Sequence, residues 1–153
     1  MKDLHNHKDH VVLADDDPDH GFLFQRVLKQ VAPERFLTRV RDGAALIELL
    51  AREVPGLVFL DLNMPCKNGY ECLEEIRYRP ELSDLPVVVY SSSTQMNDIQ
   101  RSYIYKADLY LVKPFNSYHL KNALTSILTM DWRRNYPNER FYFINNRFVP
   151  FTA

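Results

Sequence analysis

The chain has 153 residues, a length that predicts one domain and leaves little room for a separate output domain. Apolar residues make up 46% and charged residues 25%, as in ordinary globular proteins, which argues against intrinsic disorder and fibrous repeats. Lysine and arginine number 19 against 20 aspartates and glutamates, so the net charge of -1 provides no general attraction to nucleic acid or to an anionic membrane.

The termini and the cysteines indicate a soluble cytoplasmic protein. The first ten residues are polar and do not resemble a signal peptide, and no apolar run is long enough to cross a membrane. Cys66 and Cys72 are separated by five residues, with no further Cys or His at zinc-finger spacing. We therefore expect two reduced thiols, and neither a disulfide framework nor a structural zinc site.

Five short apolar segments alternate with segments of helical periodicity, a pattern typical of a parallel sheet with helices on both faces. The predicted strands are 11–14, 36–40, 57–60, 87–90 and 109–112. The first, third and fourth are almost wholly apolar, as in central strands, whereas the second contains Thr38 and Arg39 and suits an edge. The pattern predicts an α/β fold with a doubly wound five-stranded parallel sheet.

Five helices are expected between and after these strands. Asp17 and Asp42 are typical N-caps, and Pro18 suits the first position of a helix. In the last segment, apolar residues recur at spacings of three and four. The expected helices run from 18 to near 33, from 43 to before 55, from 69 to about 78, from about 95 to 105 and from about 116 to 130.

The N-terminal residues 1–9 precede the first predicted strand and are expected to be flexible. They and the residue that follows them include three histidines, His5, His7 and His10. Because this segment offers no fourth fixed ligand, we expect the histidines to be solvated and not to bind a metal.

Residues 131–153 form a C-terminal aromatic extension. Two short strands between Phe141 and Phe151 are expected to form a β-hairpin around Asn145-Asn146, since asparagine tolerates positive φ. The extension, with Trp132 and Tyr136, is expected to pack on the body of the protein. The alternative is a dimer or partner contact through the edge of the hairpin.

Polar residues follow four of the predicted strands at their carboxyl ends, where parallel sheets form ligand sites. They are Asp15, Asp16 and Asp17 after the first strand, Asp61 after the third, Ser91 after the fourth and Lys113 after the fifth. Carboxylates crowded at one edge repel each other unless a cation lies among them, and Mg²⁺ prefers such oxygen ligands. We therefore predict a Mg²⁺ site where a carboxylate attacks a phosphoryl group and forms an acyl phosphate.

Two of these residues precede a proline, which bears on their expected roles. Asp17 precedes a proline at the start of the first helix, so it is expected to cap that helix rather than to contact a metal. Lys113 precedes Pro114, and a cis peptide bond there would direct the lysine inward, although cis is the minority state.

Together these motifs resemble the receiver domain of two-component response regulators over about residues 10–130. The matching motifs are Asp15-Asp16, Asp61-Leu62-Asn63-Met64-Pro65 followed by Gly69, Ser91 after its apolar strand, and Lys113-Pro114-Phe115. The resemblance implies a flavodoxin-like sheet with strand order 2-1-3-4-5. It also implies a signalling domain, and not an enzyme beyond self-catalysed phosphorylation and dephosphorylation.

Carried over position by position, the resemblance assigns the chemistry of the site. Asp61 takes the position of the phosphoacceptor. Asp15, Asp16, Asp61 and the backbone carbonyl of Asn63 take the positions of the Mg²⁺ ligands. The implied cofactor is Mg²⁺, and the implied source of the phosphoryl group is a sensor histidine kinase or a histidine phosphotransfer protein.

The resemblance also assigns a conformational switch. Ser91 takes the position of the switch hydroxyl, Lys113 that of the phosphate-binding lysine and Tyr110 that of the switch aromatic. A phosphoryl group on Asp61 adds acceptor oxygens within reach of Ser91 and Lys113, and the inward movement of Ser91 leaves space for Tyr110. Static packing of Tyr110 is the alternative to this switching role.

A downstream partner protein is expected to recognise the switched state on the face formed by the fourth helix, the fifth strand and the fifth helix. The residues assigned to this face are Tyr103, Lys106, Tyr110 and His119. Neither a direct contact with nucleic acid nor an association with a membrane is expected.

Some positions depart from the family pattern or qualify it. Many members carry a Gly-Ala pair where this chain has Lys106-Ala107, so the lysine is expected to reshape the turn or to mark the partner surface. Asn63 and Ser93 lie two residues after the phosphoacceptor and the switch hydroxyl, where side chains influence the attack of water on phosphoaspartate. Cys66 is expected to be a neutral loop residue.

The expected function is that of a single-domain response regulator in a two-component phosphorelay, which signals to a partner or relays its phosphoryl group. A pseudo-receiver that binds its partner constitutively is one alternative, but the complete set of acids, hydroxyl and lysine argues against it. A haloacid-dehalogenase-like phosphohydrolase is another, because Asp15 and Asp17 form an Asp-x-Asp motif. The sequence lacks the later acidic pair expected in that family.

Overall fold

A computed structural model of the chain describes residues 6–114, 116–130, 140–144 and 147–151, and only the backbone of residues 6, 7, 140–144 and 147–151. The strands are β1 (Asn6–Ala14), β2 (Phe36–Val40), β3 (Val54–Leu60), β4 (Val87–Ser91), β5 (Leu109–Val112), β6 (Arg140–Ile144) and β7 (Arg147–Phe151). The helices are α1 (Pro18–Val31), α2 (Gly43–Leu50), α3 (Gly69–Tyr78), α4 (Met96–Ile104) and α5 (Ser117–Leu128), with a short 3₁₀ helix at Pro80–Leu82. No helix in these ranges is long and apolar enough to cross a membrane.

The strands form one sheet in the order β2-β1-β3-β4-β5-β6-β7. The first five strands in the chain are parallel to one another, which confirms the predicted order 2-1-3-4-5. Because the sheet is parallel, the carboxyl ends of these five strands lie at the same edge. The predicted site residues, which follow these strands, therefore lie at this one edge of the sheet.

The core lies on both faces of the sheet, as the alternation of side chains along each strand requires. On β4, Val87 and Val89 pack towards α2, α3 and α4, while Val88 and Tyr90 pack towards α1 and α5. Each fully buried apolar side chain contributes roughly 1.5–3 kcal/mol relative to exposure. The two layers hold the strand ends in place, and with them the polar residues that follow.

The C-terminal hairpin is present as predicted, with β6 and β7 antiparallel around residues 145–146. It extends the main sheet, because β6 lies parallel to β5 with Tyr142 opposite Tyr110 and Phe143 opposite Leu111. The edge of β5 is therefore covered by backbone pairing. Trp132 and Tyr136 lie outside the described residues.

The first strand begins at Asn6, five residues before its predicted start, and the expectation of a solvated His10 is wrong. The His10 side chain is 1% exposed, its Nε2 lies 2.7 Å from the Thr38 hydroxyl, and its ring stacks on Phe36. The early start follows from pairing between Asn6 and Val54 of β3. His5, and the side chain of His7, lie outside the described residues.

The third strand also begins earlier than predicted, at Val54, and includes Pro55 and Gly56, which lie between the predicted second helix and the predicted start of the strand. A Cβ atom on Gly56 would lie 2.3 Å from the backbone oxygen of Lys8. Glycine therefore allows the close approach of β1 here, and the β1–β3 register shifts just beyond this point, between His7 and Val11.

Candidate functional site

Backbone pairing brings the predicted site residues together at the carboxyl edge of the sheet. The N–H of Asp61 donates to the carbonyl of Ala14 (2.9 Å), so Asp15 and Asp61 emerge from neighbouring strands. The N–H of Lys113 donates to the carbonyl of Ser91 (2.8 Å), which joins the ends of β5 and β4 in the same way. Sequence positions far apart thus form one polar site.

Three carboxylates form the acidic part of this site. Asp15, Asp16 and Asp61 each offer an oxygen, and these oxygens all lie within 4.8 Å of one another. Asp15 and Asp61 are each 7% exposed, while Asp16 is open to solvent. With Lys113, these residues are hereafter the acidic site.

Burial and charge act against ionisation of the central carboxyl. The pKa of Asp61 is raised to about 6, chiefly by burial and in part by the charge of Asp15, although the ammonium group of Lys113 acts in the opposite direction. The backbone N–H of Asn63 also donates to this carboxylate (3.4 Å) and favours its charged form. A site with this excess of buried negative charge suits a hard divalent cation, so its residues fit Mg²⁺.

Lys113 is the cation that the structure places among these acids. Its Nζ lies 2.8 Å from Asp15 Oδ2, 3.2 Å from Asp61 Oδ2 and 3.2 Å from Nδ1 of His20. The three N–H groups of the ammonium thus have three neighbours. The Lys113–Pro114 bond is trans, since the described residues contain no cis peptide bond.

His20 is a site residue that the sequence interpretation missed. Its imidazole lies beside Lys113 and 3.4 Å from Asp17 Oδ2, and the side chain is 45% exposed. Its spacing from the helix cap could have indicated it. Position 20 lies three residues after the N-cap Asp17, and residues three apart are neighbours on a helix surface, so His20 lies near the end of α1 that faces the site. No metal or phosphate motif marks it.

Asp17 is confirmed as a helix cap. Its side chain accepts from the backbone N–H groups of Asp19 (2.9 Å) and His20 (3.3 Å) at the start of α1. These bonds, above all the one from His20, lower the pKa of the Asp17 carboxyl. The Asp17 carboxylate therefore binds the start of its own helix. This argues against the phosphohydrolase alternative, in which Asp17 would be the second acid of an Asp-x-Asp motif.

The loop after β3 is held close to Asp61 by a tight backbone contact. The N–H of Gly69 donates to the carbonyl of Leu62 (2.9 Å), and a Cβ atom on Gly69 would lie 2.5 Å from the backbone oxygen of Asp61. Only glycine fits, which explains this part of the motif. Cys66 in the same loop is exposed, with a positive φ of 68°.

Ser91 is the last residue of β4, and Tyr110 on the neighbouring strand β5 contacts the loop between β4 and α4. Ser91 is 1% exposed, and its hydroxyl accepts from the N–H of Ser93 (3.2 Å). Tyr110 is 0% exposed, and its hydroxyl donates to the carbonyl of Ser93 (2.9 Å). The aromatic ring therefore occupies an inward position in this structure.

The residues assigned to the partner face differ in exposure. Lys106 is exposed and His119 is partly buried, but Tyr103 and Tyr110 are buried and offer no surface to a partner in this conformation. The exposed apolar residues of α4 and α5 are Met96, Ile104 and Tyr118. Tyr103 and Tyr110 thus lie on the predicted elements, α4 and β5, and their role in partner binding stays a prediction.

Lys106 adopts a left-handed backbone conformation, which glycine adopts most easily. Its φ is 70°, its N–H donates to Tyr103 (3.0 Å), and the N–H of Ala107 donates to Ser102 (3.0 Å). This pair of bonds ends α4 in a Schellman motif. The lysine leaves this left-handed turn in place, and its carbonyl accepts a hydrogen bond from Arg77 (3.0 Å).

Known proteins resemble this chain in sequence. A family model described as the response regulator receiver domain matches residues 11–125. The probable methanogenesis regulatory protein FilR2 of Methanothrix harundinacea is 30% identical over 133 residues, which cover 82% of this chain and 86% of that protein. Response regulator Rcp1 of Synechocystis sp. is 35% identical over 123 residues, which cover 76% of this chain and 84% of Rcp1.

Solved structures resemble the fold. The crystal structure of the Mn²⁺-bound form of Rcp1 matches with a TM-score of 0.70 at 33% identity, covering 78% of this chain and 91% of that chain. The crystal structure of the phosphorylated cyanobacterial phytochrome response regulator RcpA matches with a TM-score of 0.72 at 32% identity, covering 78% and 90%. These matches confirm the flavodoxin-like arrangement of β1 to β5 and α1 to α5.

Proposed function

The chain belongs to the response regulator receiver domain family, and we propose that it is a single-domain response regulator that accepts a phosphoryl group on Asp61 with Mg²⁺. Receiver domains are signalling domains and not dedicated enzymes. The observation that carries the proposal is the acidic site itself, in which Asp61 lies between two other carboxylates and Lys113. We place this function in the cytoplasm, where histidine kinases present their phosphohistidines.

The phosphoryl transfer uses Asp61 as the nucleophile. An oxygen of its carboxylate forms a bond to phosphorus while the bond from phosphorus to a histidine nitrogen breaks, and the imidazole keeps that electron pair. The carboxylates of Asp15, Asp16 and Asp61 and the backbone carbonyl of Asn63 would hold the Mg²⁺. When bound, the cation supplies positive charge that neutralises the phosphoryl oxygens.

Lys113 and Ser91 bind the product of this transfer. The Lys113 ammonium already lies 3.2 Å from Asp61 Oδ2, so it reaches the position where phosphoryl oxygens are added. Ser91 is buried at the end of the neighbouring strand and supplies a hydroxyl. Both groups donate to the phosphoryl oxygens, and Tyr110 responds as the switch aromatic. These contacts stabilise the phosphorylated state relative to the free carboxylate.

The partners follow from the chemistry. A histidine kinase or a histidine phosphotransfer protein supplies the phosphoryl group, and a downstream protein binds the face of α4, β5 and α5. Met96, Ile104 and Tyr118 provide exposed apolar area there. Passing the phosphoryl group to a second phosphotransfer protein is the alternative output.

Intact-mass measurement after incubation with Mg²⁺ and acetyl phosphate tests the proposal. The wild type is expected to gain one phosphoryl group, and Asp61→Asn none. Asp84→Asn, which alters an exposed aspartate, is the matched control and should behave like the wild type. A phosphoryl group on the Asp61→Asn protein would overturn the assignment.

One observation favours constitutive partner binding as a second candidate. Tyr110 occupies an inward position, where its hydroxyl donates to the carbonyl of Ser93. A pseudo-receiver would keep this position unchanged when beryllofluoride, a stable phosphoryl mimic, is added with Mg²⁺. Unchanged NMR resonances of Tyr110 on this addition would favour the pseudo-receiver, and shifted resonances would favour the switch.

A further inference from the structure

A group of polar side chains lies beside the acidic site and joins three elements of the fold. The carboxylate of Asp98, in the first turn of α4, accepts from the Ser93 hydroxyl at Oδ2 (2.5 Å) and from the Tyr70 hydroxyl at Oδ1 (2.9 Å). Tyr110 reaches the same loop, since its hydroxyl donates to the Ser93 carbonyl. Tyr70, Ser93, Asp98 and Tyr110 are hereafter the Asp98 cluster.

The loop between β4 and α4 is held by Ser93 in particular. The Ser93 N–H donates to the hydroxyl of Ser91 (3.2 Å), and its own hydroxyl accepts from the N–H of Gln95 (3.2 Å) while donating to Asp98. Its carbonyl accepts from Tyr110. Every polar atom of this one serine therefore has a partner, and Asp98 supplies the only charged one among those contacts.

Tyr70 brings α3 into the cluster. Its side chain is 8% exposed, and the guanidinium of Arg101 lies 4.0 Å above the centre of its ring. Burial and the bond to Asp98 raise the pKa of the phenol, so the hydroxyl stays protonated and donates. The ring is held from above by the cation and at its hydroxyl by the carboxylate.

The hydrogen bonds of Asp98 are more specific than a favourable interaction with the dipole of α4 requires. An acidic side chain in the first turn of a helix is favourable without any partner. Here each of the two Asp98 oxygens has its own hydroxyl donor, one from the loop after β4 and one from α3. The Asp98 backbone carbonyl also accepts from the Ser102 hydroxyl (2.8 Å), one turn further along α4.

We propose that Asp98 is a positioning residue of the switch, which holds Ser93 in the arrangement that accepts the inward Tyr110 and links this arrangement to α3 through Tyr70. The proposal rests on the proposed function, because the switch matters only if Asp61 is phosphorylated. The hydroxyl of Ser91, which is proposed to bind the phosphoryl group, accepts from the N–H of Ser93, so this hydroxyl and the Asp98 cluster are joined through one loop.

Linkage sets the direction of the effect. If the Asp98 cluster stabilises the loop conformation that binds a phosphoryl group, removing one of its bonds makes that conformation rarer in the free protein. The affinity for a phosphoryl mimic then falls by the same factor. One neutral or charge-assisted hydrogen bond corresponds to roughly a three- to tenfold change in affinity.

Beryllofluoride titration in excess Mg²⁺, followed by calorimetry and by NMR of the Ser93 amide, is the test. Tyr70→Phe removes one hydroxyl and keeps the ring beneath Arg101, and Asp98→Ala removes both acceptor oxygens. Tyr78→Phe, in the same helix but 88% exposed, is the matched control. Relative to wild type, we expect binding roughly three- to tenfold weaker for Tyr70→Phe, weaker still for Asp98→Ala, and unchanged for Tyr78→Phe.

Amide hydrogen exchange in the free protein provides a second measurement. The amides of Ser93 and Gln95 are expected to exchange at least about threefold faster in Tyr70→Phe than in the wild type. Both amide hydrogen bonds depend on the position of Ser93, which the variant holds less firmly. A general loss of stability would speed exchange across the whole sheet, not in this loop alone.

The outcomes separate the two levels of inference. Unchanged beryllofluoride affinity in Tyr70→Phe, with wild-type binding intact, overturns the positioning role and leaves the proposed function standing. Failure of the wild type to bind beryllofluoride overturns the proposed function, and the exchange rates then decide the structural part alone. In that case local acceleration in Tyr70→Phe supports Asp98 as the residue that holds the loop, and unchanged rates overturn it.

Discussion

The acidic site and the Asp98 cluster lie on either side of Ser91, and they satisfy their polar groups in opposite ways. In the acidic site, the ammonium of Lys113 contacts two of the three carboxylates, those of Asp15 and Asp61, so negative charge is in excess. In the Asp98 cluster, one carboxylate has two hydroxyl donors, and each hydroxyl has an acceptor. The first region therefore favours the binding of a further cation, whereas in the second each of these polar groups already has a partner.

This difference separates binding from positioning. Uncompensated buried charge lowers the stability of the free protein and makes ligand binding favourable. A fully bonded network gains little from a ligand but restricts the loop to one conformation. Substitutions in the acidic site should therefore change stability in a metal-dependent way, while those in the Asp98 cluster should change it independently of metal.

The largest effect is expected from Lys113→Met, which removes the cation and keeps an unbranched side chain of similar volume. Asp15 and Asp61 would then remain buried without it, and we expect a loss of about 3 kcal/mol in the free energy of unfolding at pH 7 without Mg²⁺. Urea titration measures this change. Added Mg²⁺ should restore part of the loss.

Lys121→Met is the control for that measurement. This lysine lies on the exposed side of α5, and its replacement should change the free energy of unfolding by less than about 0.5 kcal/mol. If Lys113→Met were equally mild at pH 7 without metal, the two buried carboxylates would not depend on the ammonium, and the contrast between the two regions would fail.

Asp61→Asn is expected to stabilise the metal-free protein. Since burial raises the pKa of Asp61 to about 6 from its ordinary value of 3.8, the folded state holds the proton more tightly than the unfolded chain. The wild type therefore loses stability as pH rises from about 4 to about 6, and the penalty is fully present above that window. The variant has no such proton to release.

Urea titrations of both proteins between pH 4 and pH 8 test this sign. Without metal, Asp61→Asn should be more stable by about 1–3 kcal/mol at pH 7, with the difference shrinking towards pH 4. Added Mg²⁺ should stabilise the wild type more than the variant, because the variant lacks one of the three carboxylates that would hold the cation. A wild type that is the more stable protein at pH 7 without metal would contradict the sign.

The acidic site was predictable because its residues follow strands. Periodicity located the strands, and in a parallel sheet the residues after them must meet at one edge, so Asp15, Asp61 and Lys113 could be grouped without coordinates. His20 escaped because it enters the site from a helix. Its position depends on the rotation of α1 about its axis, which the cap alone does not specify.

The Asp98 cluster could not be predicted in the same way. Tyr70 and Asp98 lie 28 positions apart on different helices, and their contact depends on how α3 and α4 pack against each other. The early start of β1 was missed for a related reason. The segment before residue 11 is polar, and its pairing with β3 makes it a strand, while Phe36 and Thr38 of β2 contact the buried His10.

Tyr70→Phe is expected to have a smaller effect on stability than either change in the acidic site. Loss of one hydrogen bond to a carboxylate corresponds to about 1 kcal/mol in the free energy of unfolding, and the value should be the same with and without Mg²⁺. Thermal or urea unfolding under both conditions measures it. A strong dependence on Mg²⁺ would show that the Asp98 cluster and the acidic site act as one unit and not as two separate regions.

Lys106→Gly should change neither region and should stabilise the protein slightly. Lys106 has a φ of 70°, a left-handed conformation that glycine adopts without the clash of a Cβ atom. The greater freedom of glycine in the unfolded chain opposes this gain, so we expect a net increase of about 0.5 kcal/mol in the free energy of unfolding. Beryllofluoride affinity should match the wild type, because the Schellman bonds are made by the backbone and are kept. A changed affinity would mean that the end of α4 is coupled to Ser93, and the positioning effect would then extend beyond the Asp98 cluster.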